Sequence, residues 1–182
     1  MLKAKHRIVL LIGPSGSGKT AIADYLRDKY GWQAVQSYTT RLPRYPWEGG
    51  HTFVSDEEFD ALTDMIAYTE FDGHRYCATA EQVDSCDLYV IDPKGVKAMQ
   101  QLYHGDSRIM PVYVYAKPSV CLKRMMMRGD DLWQALRRLR NDKKEFDGAQ
   151  EFLRDNFDSY LSIYNNRDLA SAGDMVYRWA TI

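Results

Sequence analysis

Three short apolar runs stand out along the chain: residues 8–12 (IVLLI), 88–91 (LYVI) and 110–115 (MPVYVY). None alternates with polar residues, which is the pattern of strands buried on both faces in a parallel sheet. A helical pattern follows each run, at about 19–30, 93–103 and 119–127. This alternation predicts an α/β fold. A longer charged stretch, 132–154, has helical character and carries many arginines and lysines.

Between residues 37 and 85 the texture changes to short, turn-rich pieces. Two capping boxes occur there: Ser55 with Glu58, and Thr79 with Gln82. Each predicts the start of a short helix. The stretch reads as an insertion of small strands and helices between core strands, a natural place for substrate binding. The predicted organisation is a single domain over 1–182. Its core comprises 1–36, 86–127 and 155–182, with an insertion at 37–85 and a lid region at 128–154.

Composition narrows the possible functions. The chain has 182 residues, 45% hydrophobic and 27% charged, with 24 basic against 25 acidic residues and a net charge of −1. A general nucleic-acid binder would be strongly basic, so nucleic acid is not an expected partner and any anion site must be local. The three cysteines, Cys77, Cys86 and Cys121, are odd in number and lack metal-ligand spacing. They fit reduced thiols in a cytoplasmic protein. The apolar run near the N-terminus is too short for a signal peptide, and no run reaches the ~18 apolar residues of a membrane span. The four histidines do not cluster, and Ser15 and Ser17 form no nucleophile elbow.

The segment GPSGSGKT, residues 13–20, matches G-x-x-x-x-G-K-[ST] in full. Glycines in such a loop let successive backbone N–H groups curl around a phosphate, and the following helix points its positive end at it. Gly13, Ser15, Gly16, Ser17, Gly18, Lys19 and Thr20 are therefore expected to bind ATP. Lys19 would reach the β- and γ-phosphates, and the Thr20 hydroxyl would hold Mg²⁺. An apolar strand before the loop and an Ala-containing helical pattern after it supply the required context.

Downstream lies SYTTRLPR, residues 37–44, with two arginines three residues apart. Taken alone it could be a solvated bend. YTEFDGHRY places Glu70 and Tyr76 in the same insertion, and VIDPKG puts Asp92 at the end of an apolar strand. Ligands of open α/β sheets bind at that edge.

Together these motifs resemble the guanylate kinases, a family of P-loop nucleoside monophosphate kinases. Ser37, Thr39, Thr40, Arg41 and Arg44 match that family's Ser-x-Thr-Thr-Arg-x-x-Arg loop. Phe53, Val54, Ser55 and Phe59 match its Phe-Val-Ser-x-x-x-Phe segment. The resemblance runs from Arg7 to about Leu153. It implies a P-loop kinase core with a parallel sheet flanked by helices, a small α+β monophosphate-binding insertion and a helical lid. It also implies transfer of the γ-phosphoryl of ATP to GMP or dGMP, with Mg²⁺ as cofactor and a monomer or homodimer as the assembly.

By the resemblance, Arg41 and Arg44 grip the acceptor phosphate and Tyr76 adds a hydroxyl. Glu70 accepts from guanine, while Ser37 and Asp92 line the acceptor side. Arg128 and Arg138 are the lid arginines that act in catalysis with Lys19 and Arg41, and Arg137 competes for that role. The chain departs from the family pattern at His51, which stands in place of a phosphate-binding tyrosine. It departs again at Cys77 and Ala78 beside the base, and at Lys143 in the lid. Two other readings compete: a related kinase with a different acceptor, and a non-catalytic guanylate kinase-like binding module.

Overall fold

A computed structural model describes residues 6–43, 46–71, 73–166 and 168–182. In chain order the elements are β1 (Arg7–Ile12), α1 (Lys19–Tyr30), β2 (Ser37–Thr39), β3 (His51–Phe53), α2 (Asp56–Asp60), β4 (Thr69–Phe71), β5 (His74–Cys77) and α3 (Ala80–Ser85). They continue with β6 (Leu88–Val90), α4 (Pro93–Leu102), β7 (Arg108–Tyr115), α5 (Pro118–Met127), α6 (Leu132–Glu145), α7 (Ala149–Asn156), β8 (Leu161–Tyr164) and α8 (Leu169–Thr181). One sheet has the order β6-β1-β7-β8 and the other β3-β2-β5-β4. The chain resolves into two compact units. The first holds residues up to Leu10 and Trp32–Ile109; the second holds Leu11–Gly31 and Met110–Ile182.

The predicted strands and helices form where the apolar pattern places them. Ile8 to Ile12 are almost completely buried, as are Val112 and Val114 in β7. Apolar residues without alternation occupy a parallel sheet covered by helices, and β7 and β8 pair in parallel with Val114 opposite Ile163. Both capping boxes are formed, Ser55 with Glu58 opening α2 and Thr79 with Gln82 opening α3. The charged stretch 132–154 is not one helix. It breaks into α6 and α7 at Gly148, which has φ +68°.

The stretch after residue 155 supplies two elements that its sequence pattern did not announce, β8 and α8. Strand β8 is only four residues long, too short for its period to register. Helix α8 is capped by the Asp168 carboxylate, which accepts from the Ala170 N–H at 3.1 Å. Its buried stripe Ala172, Val176 and Ala180 recurs every fourth residue, but small side chains weaken that signal.

The smaller sheet belongs to the first unit and is set by register. Thr69 pairs with Tyr76, Glu70 with Arg75 and Phe71 with His74. Tyr76 in turn pairs with Thr39, and Thr39 with Phe53. Paired residues share a face and successive residues alternate. One face therefore carries Ser37, Thr39, His51, Phe53, Thr69 and Tyr76. The other carries Tyr38, Glu70, Arg75 and Cys77. Helix α2 covers the second face: the Arg75 guanidinium lies 4.6 Å from the Phe59 ring centroid and pairs with Asp56 and Asp60.

Candidate active site

The phosphate loop joins β1 to α1, and its course depends on glycine. At Gly13, φ +155°, a Cβ would stand 1.9 Å from the Val114 carbonyl oxygen. At Gly18, φ +103°, it would stand 2.3 Å from Asn165 Nδ2. No other residue fits either position, because both the backbone conformation and the space exclude a side chain. Lys19 opens α1 and bends back over the loop, where its ammonium donates to the carbonyls of Gly13 and Pro14. Thr20 is exposed in the first turn of the helix, where a hydroxyl can reach a cation shared with a nucleotide.

Side chains outside the motif hydrogen-bond the loop backbone. Asp142, buried on α6, accepts from the Ser15 N–H at 2.8 Å. Arg124 on α5 donates to the carbonyls of Gly16 and Ser17 at 3.3 and 3.1 Å. Asn165, just after β8, donates to the Ser17 carbonyl at 2.9 Å. None of Arg124, Asp142 and Asn165 belongs to the loop motif or lies near it in the sequence.

Both expected lid arginines meet one carboxylate. Asp130 accepts from Arg128 Nη2 at 2.6 Å and Nε at 3.1 Å, and from Arg138 Nη1 at 3.0 Å. Arg128 and Arg138 thus converge on Asp130, which lies two positions from the first and eight from the second. Helix α6 starts on the Asp131 cap, which accepts from the N–H groups of Trp133 and Gln134, and this brings Arg138 back toward the turn that carries Arg128.

In the first unit, Arg41 follows β2 and is buried with its side chain 10% exposed. Nη1 and Nη2 reach the two oxygens of Glu48 at 3.0 and 2.9 Å, and Nη1 also reaches the Leu42 carbonyl at 2.7 Å. Burial works against the charge on Arg41. The Glu48 carboxylate more than offsets it, so the guanidinium pKa lies above its ordinary value. Its Nε–H is buried without a partner. An unpaired buried donor is costly. Arg44, the second arginine of the expected clamp, lies outside the described residues.

The face that holds Tyr76 gathers most of the other expected acceptor residues. Ser37 Oγ and His51 Nδ1 are 2.9 Å apart, and the His51 and Tyr76 rings meet edge-on at 5.7 Å. Asp92 caps α4 by accepting from the Gly95 N–H at 2.7 Å, and its other oxygen accepts from the Thr69 hydroxyl at 3.1 Å. Glu70 is not brought to this face. It stands on the opposite side, where it accepts a hydrogen bond from the Tyr68 hydroxyl and raises the pKa of that phenol. Strand alternation separates Glu70 from Tyr76, and Asp92 is the carboxylate that joins Thr69. Cys77 also faces away from Tyr76, and burial pushes its thiol up to about 11.

A phosphate loop closed by glycines between a strand and a helix, with two arginines converging on Asp130, defines the architecture of a P-loop fold. A family model described as guanylate kinase matches residues 5–169, and the chain belongs to the guanylate kinase family. A guanylate kinase of Streptomyces coelicolor is 34% identical over 111 residues, which span 54% of this chain and 56% of that protein. The chain thus matches little more than half the length of that relative. A guanylate kinase of Helicobacter pylori is 28% identical over 183 residues, spanning 93% of this chain and 84% of that protein. The crystal structure of guanylate kinase from Anaplasma phagocytophilum has the same fold, with a TM-score of 0.63 at 20% identity. The match covers 98% of this chain and 86% of that one. No helix among the described residues is long and apolar enough to cross a membrane.

Proposed function

We propose that this chain transfers the γ-phosphoryl group of ATP to GMP or dGMP, giving ADP and GDP or dGDP. The observation that carries the reading is the complete phosphate loop, with Lys19 and Thr20 in register, in a chain of this family. A non-catalytic binding module has no physical need for either side chain.

The donor residues fit a nucleoside triphosphate. A Cβ at Gly13 or Gly18 would strike the Val114 carbonyl or Asn165, so glycine is what permits this loop course, and the start of α1 offers its N–H groups to the phosphates. Mg²⁺ held by the Thr20 hydroxyl would neutralise charge on the phosphate oxygens. Lys19 exchanges the Gly13 and Pro14 carbonyls for phosphate oxygens when the nucleotide binds. Arg128 and Arg138 exchange Asp130 for the transferring group, where guanidinium charge is worth most.

On the acceptor side, Arg41 is oriented by Glu48 and turns its unpaired Nε–H to the monophosphate. Arg44, Tyr76 and His51 add further donors, and Ser37 lines the pocket. Asp92, rather than Glu70, receives the N1–H and 2-amino group of guanine. Both its oxygens already accept one bond, but a carboxylate has about four acceptor sites. Adenine presents an acceptor at N1 and would meet that carboxylate unfavourably. The protein's contribution is position and charge, with little covalent chemistry of its own.

A panel of monophosphates tested with ATP–Mg²⁺ in a coupled ADP-release assay checks this reading. GMP and dGMP should support turnover well above AMP, CMP and UMP. Equal turnover with all acceptors would remove the role given to Asp92. Turnover with a different base alone would replace guanine as the acceptor.

A further inference from the structure

We infer that Arg124 and Asn165 are positioning residues for the ATP phosphates; this rests on the reading of residues 13–20 as an ATP site. Neither belongs to the G-x-x-x-x-G-K-[ST] motif, yet both donate to the same carbonyl, that of Ser17. A trans peptide is planar, so its C=O and the next N–H point in opposite directions. Holding the Ser17 oxygen therefore fixes the orientation of that peptide and with it the direction of the Gly18 N–H, opposite to the carbonyl. Gly18 sits at φ +103°, a conformation that glycine holds with little intrinsic preference. Its peptide therefore needs an external constraint, and the two side chains provide one.

Asn165 is itself anchored. Asn165 is 4% exposed, and its backbone N–H donates to the Tyr115 carbonyl at 2.8 Å, extending the β7–β8 pairing. Its Nδ2 occupies the space that a Cβ on Gly18 would need. Arg124 also reaches the Gly16 carbonyl, and no carboxylate among the described residues pairs with it. Asp142 bonds the Ser15 N–H of the same loop instead. A guanidinium bonded to the phosphate loop adds to the positive field that the triphosphate meets. The two roles combine: Asn165 fixes the peptide, while Arg124 fixes it and adds charge.

The test is calorimetric binding of Mg²⁺–ATP and of Mg²⁺–tripolyphosphate, which lacks base and sugar, to wild type, Arg124→Met, Arg124→Lys and Asn165→Asp. Acceptor KM and Tm are measured alongside. Arg124→Met should weaken both ligands about tenfold, the scale of one charge-assisted hydrogen bond. Its acceptor KM should stay at the wild-type value, with only a small fall in Tm from the two lost backbone bonds. Arg124→Lys should recover part of the loss, because it keeps the charge but not the fork. Asn165→Asp should weaken tripolyphosphate at least as much, by setting a carboxylate against the Ser17 carbonyl. If it fails to fold, the arginine variants decide. Wild-type binding of both ligands with Arg124→Met unchanged would overturn the inference alone. A parallel loss of Tm and of both substrates' KM values would reduce Arg124 to a packing role and overturn it too. Wild type that bound neither ligand would overturn the ATP reading of the loop, and this inference with it.

Discussion

In the proposed function the phosphate loop and the smaller sheet, the acceptor sheet of that reading, both present donors to a phosphate, but they are made from different atoms. In the loop the binding groups are main-chain amides, and the demand on sequence falls on glycines that leave room for them. In the acceptor sheet the groups are side chains drawn from separate strands and from the cap of α4. Register decides which of those side chains share a face. A backbone site can be recognised from eight consecutive letters, whereas a side-chain site cannot be read until its strands are paired.

Substitutions should separate the two kinds of site. The largest effect is expected for Lys19→Met. Loss of one preorganised donor at the transferring phosphates should lower kcat by roughly 10²–10³-fold, with the acceptor KM little changed. Activity within a fewfold of wild type in steady-state assays would break the comparison, because the loop's only charged side chain would then be dispensable.

Arg41→Lys comes next. Lysine cannot keep both bonds to Glu48 or supply the Nε–H, so the acceptor KM should rise roughly tenfold to a hundredfold. The KM for ATP should stay within about twofold of wild type, as additivity for separate sites implies. A rise confined to the ATP KM would mean that Arg41 serves the other substrate.

The smallest effect is expected away from both sites, at Asp174. This carboxylate on α8 accepts from Lys29, Tyr25 and Tyr30 of α1, and those bonds, the one from Lys29 first, lower its pKa to about 2. A depressed carboxyl contributes stability above its unfolded value of about 4 and loses it as pH falls toward 2. Asp174→Asn should therefore lower Tm slightly at pH 6 and leave both KM values alone. The gap in Tm should close between about pH 4 and pH 2. A gap that widened in acid would contradict the sign of this linkage.

The fold was largely legible because its core strands are apolar on both faces and its helices open on recognisable caps. Strand β8 and helix α8 were not, since four residues and a stripe of alanines carry little periodic signal. Within the site, Gly13 to Thr20 follow from the motif, while Arg124 and Asn165 come from elements more than a hundred residues away. Glu70 shows the same limit in the acceptor sheet. Only two residues, Asp72 and Gly73, separate the paired Phe71 and His74. An Asp-Gly pair between strands is a hairpin signal that fixes register. Reading it would have put Thr69, and not Glu70, opposite Tyr76. Glu48 and Asp130 were missed for another reason: a carboxylate that orients an arginine has no sequence pattern of its own.

The most direct test of the central claim is product analysis with wild-type protein. ATP–Mg²⁺ is supplied with and without GMP, and ADP and GDP are quantified chromatographically. The account predicts equimolar ADP and GDP, with little ADP formed when GMP is absent. ADP release that is indifferent to GMP, or no GDP at all, would contradict it.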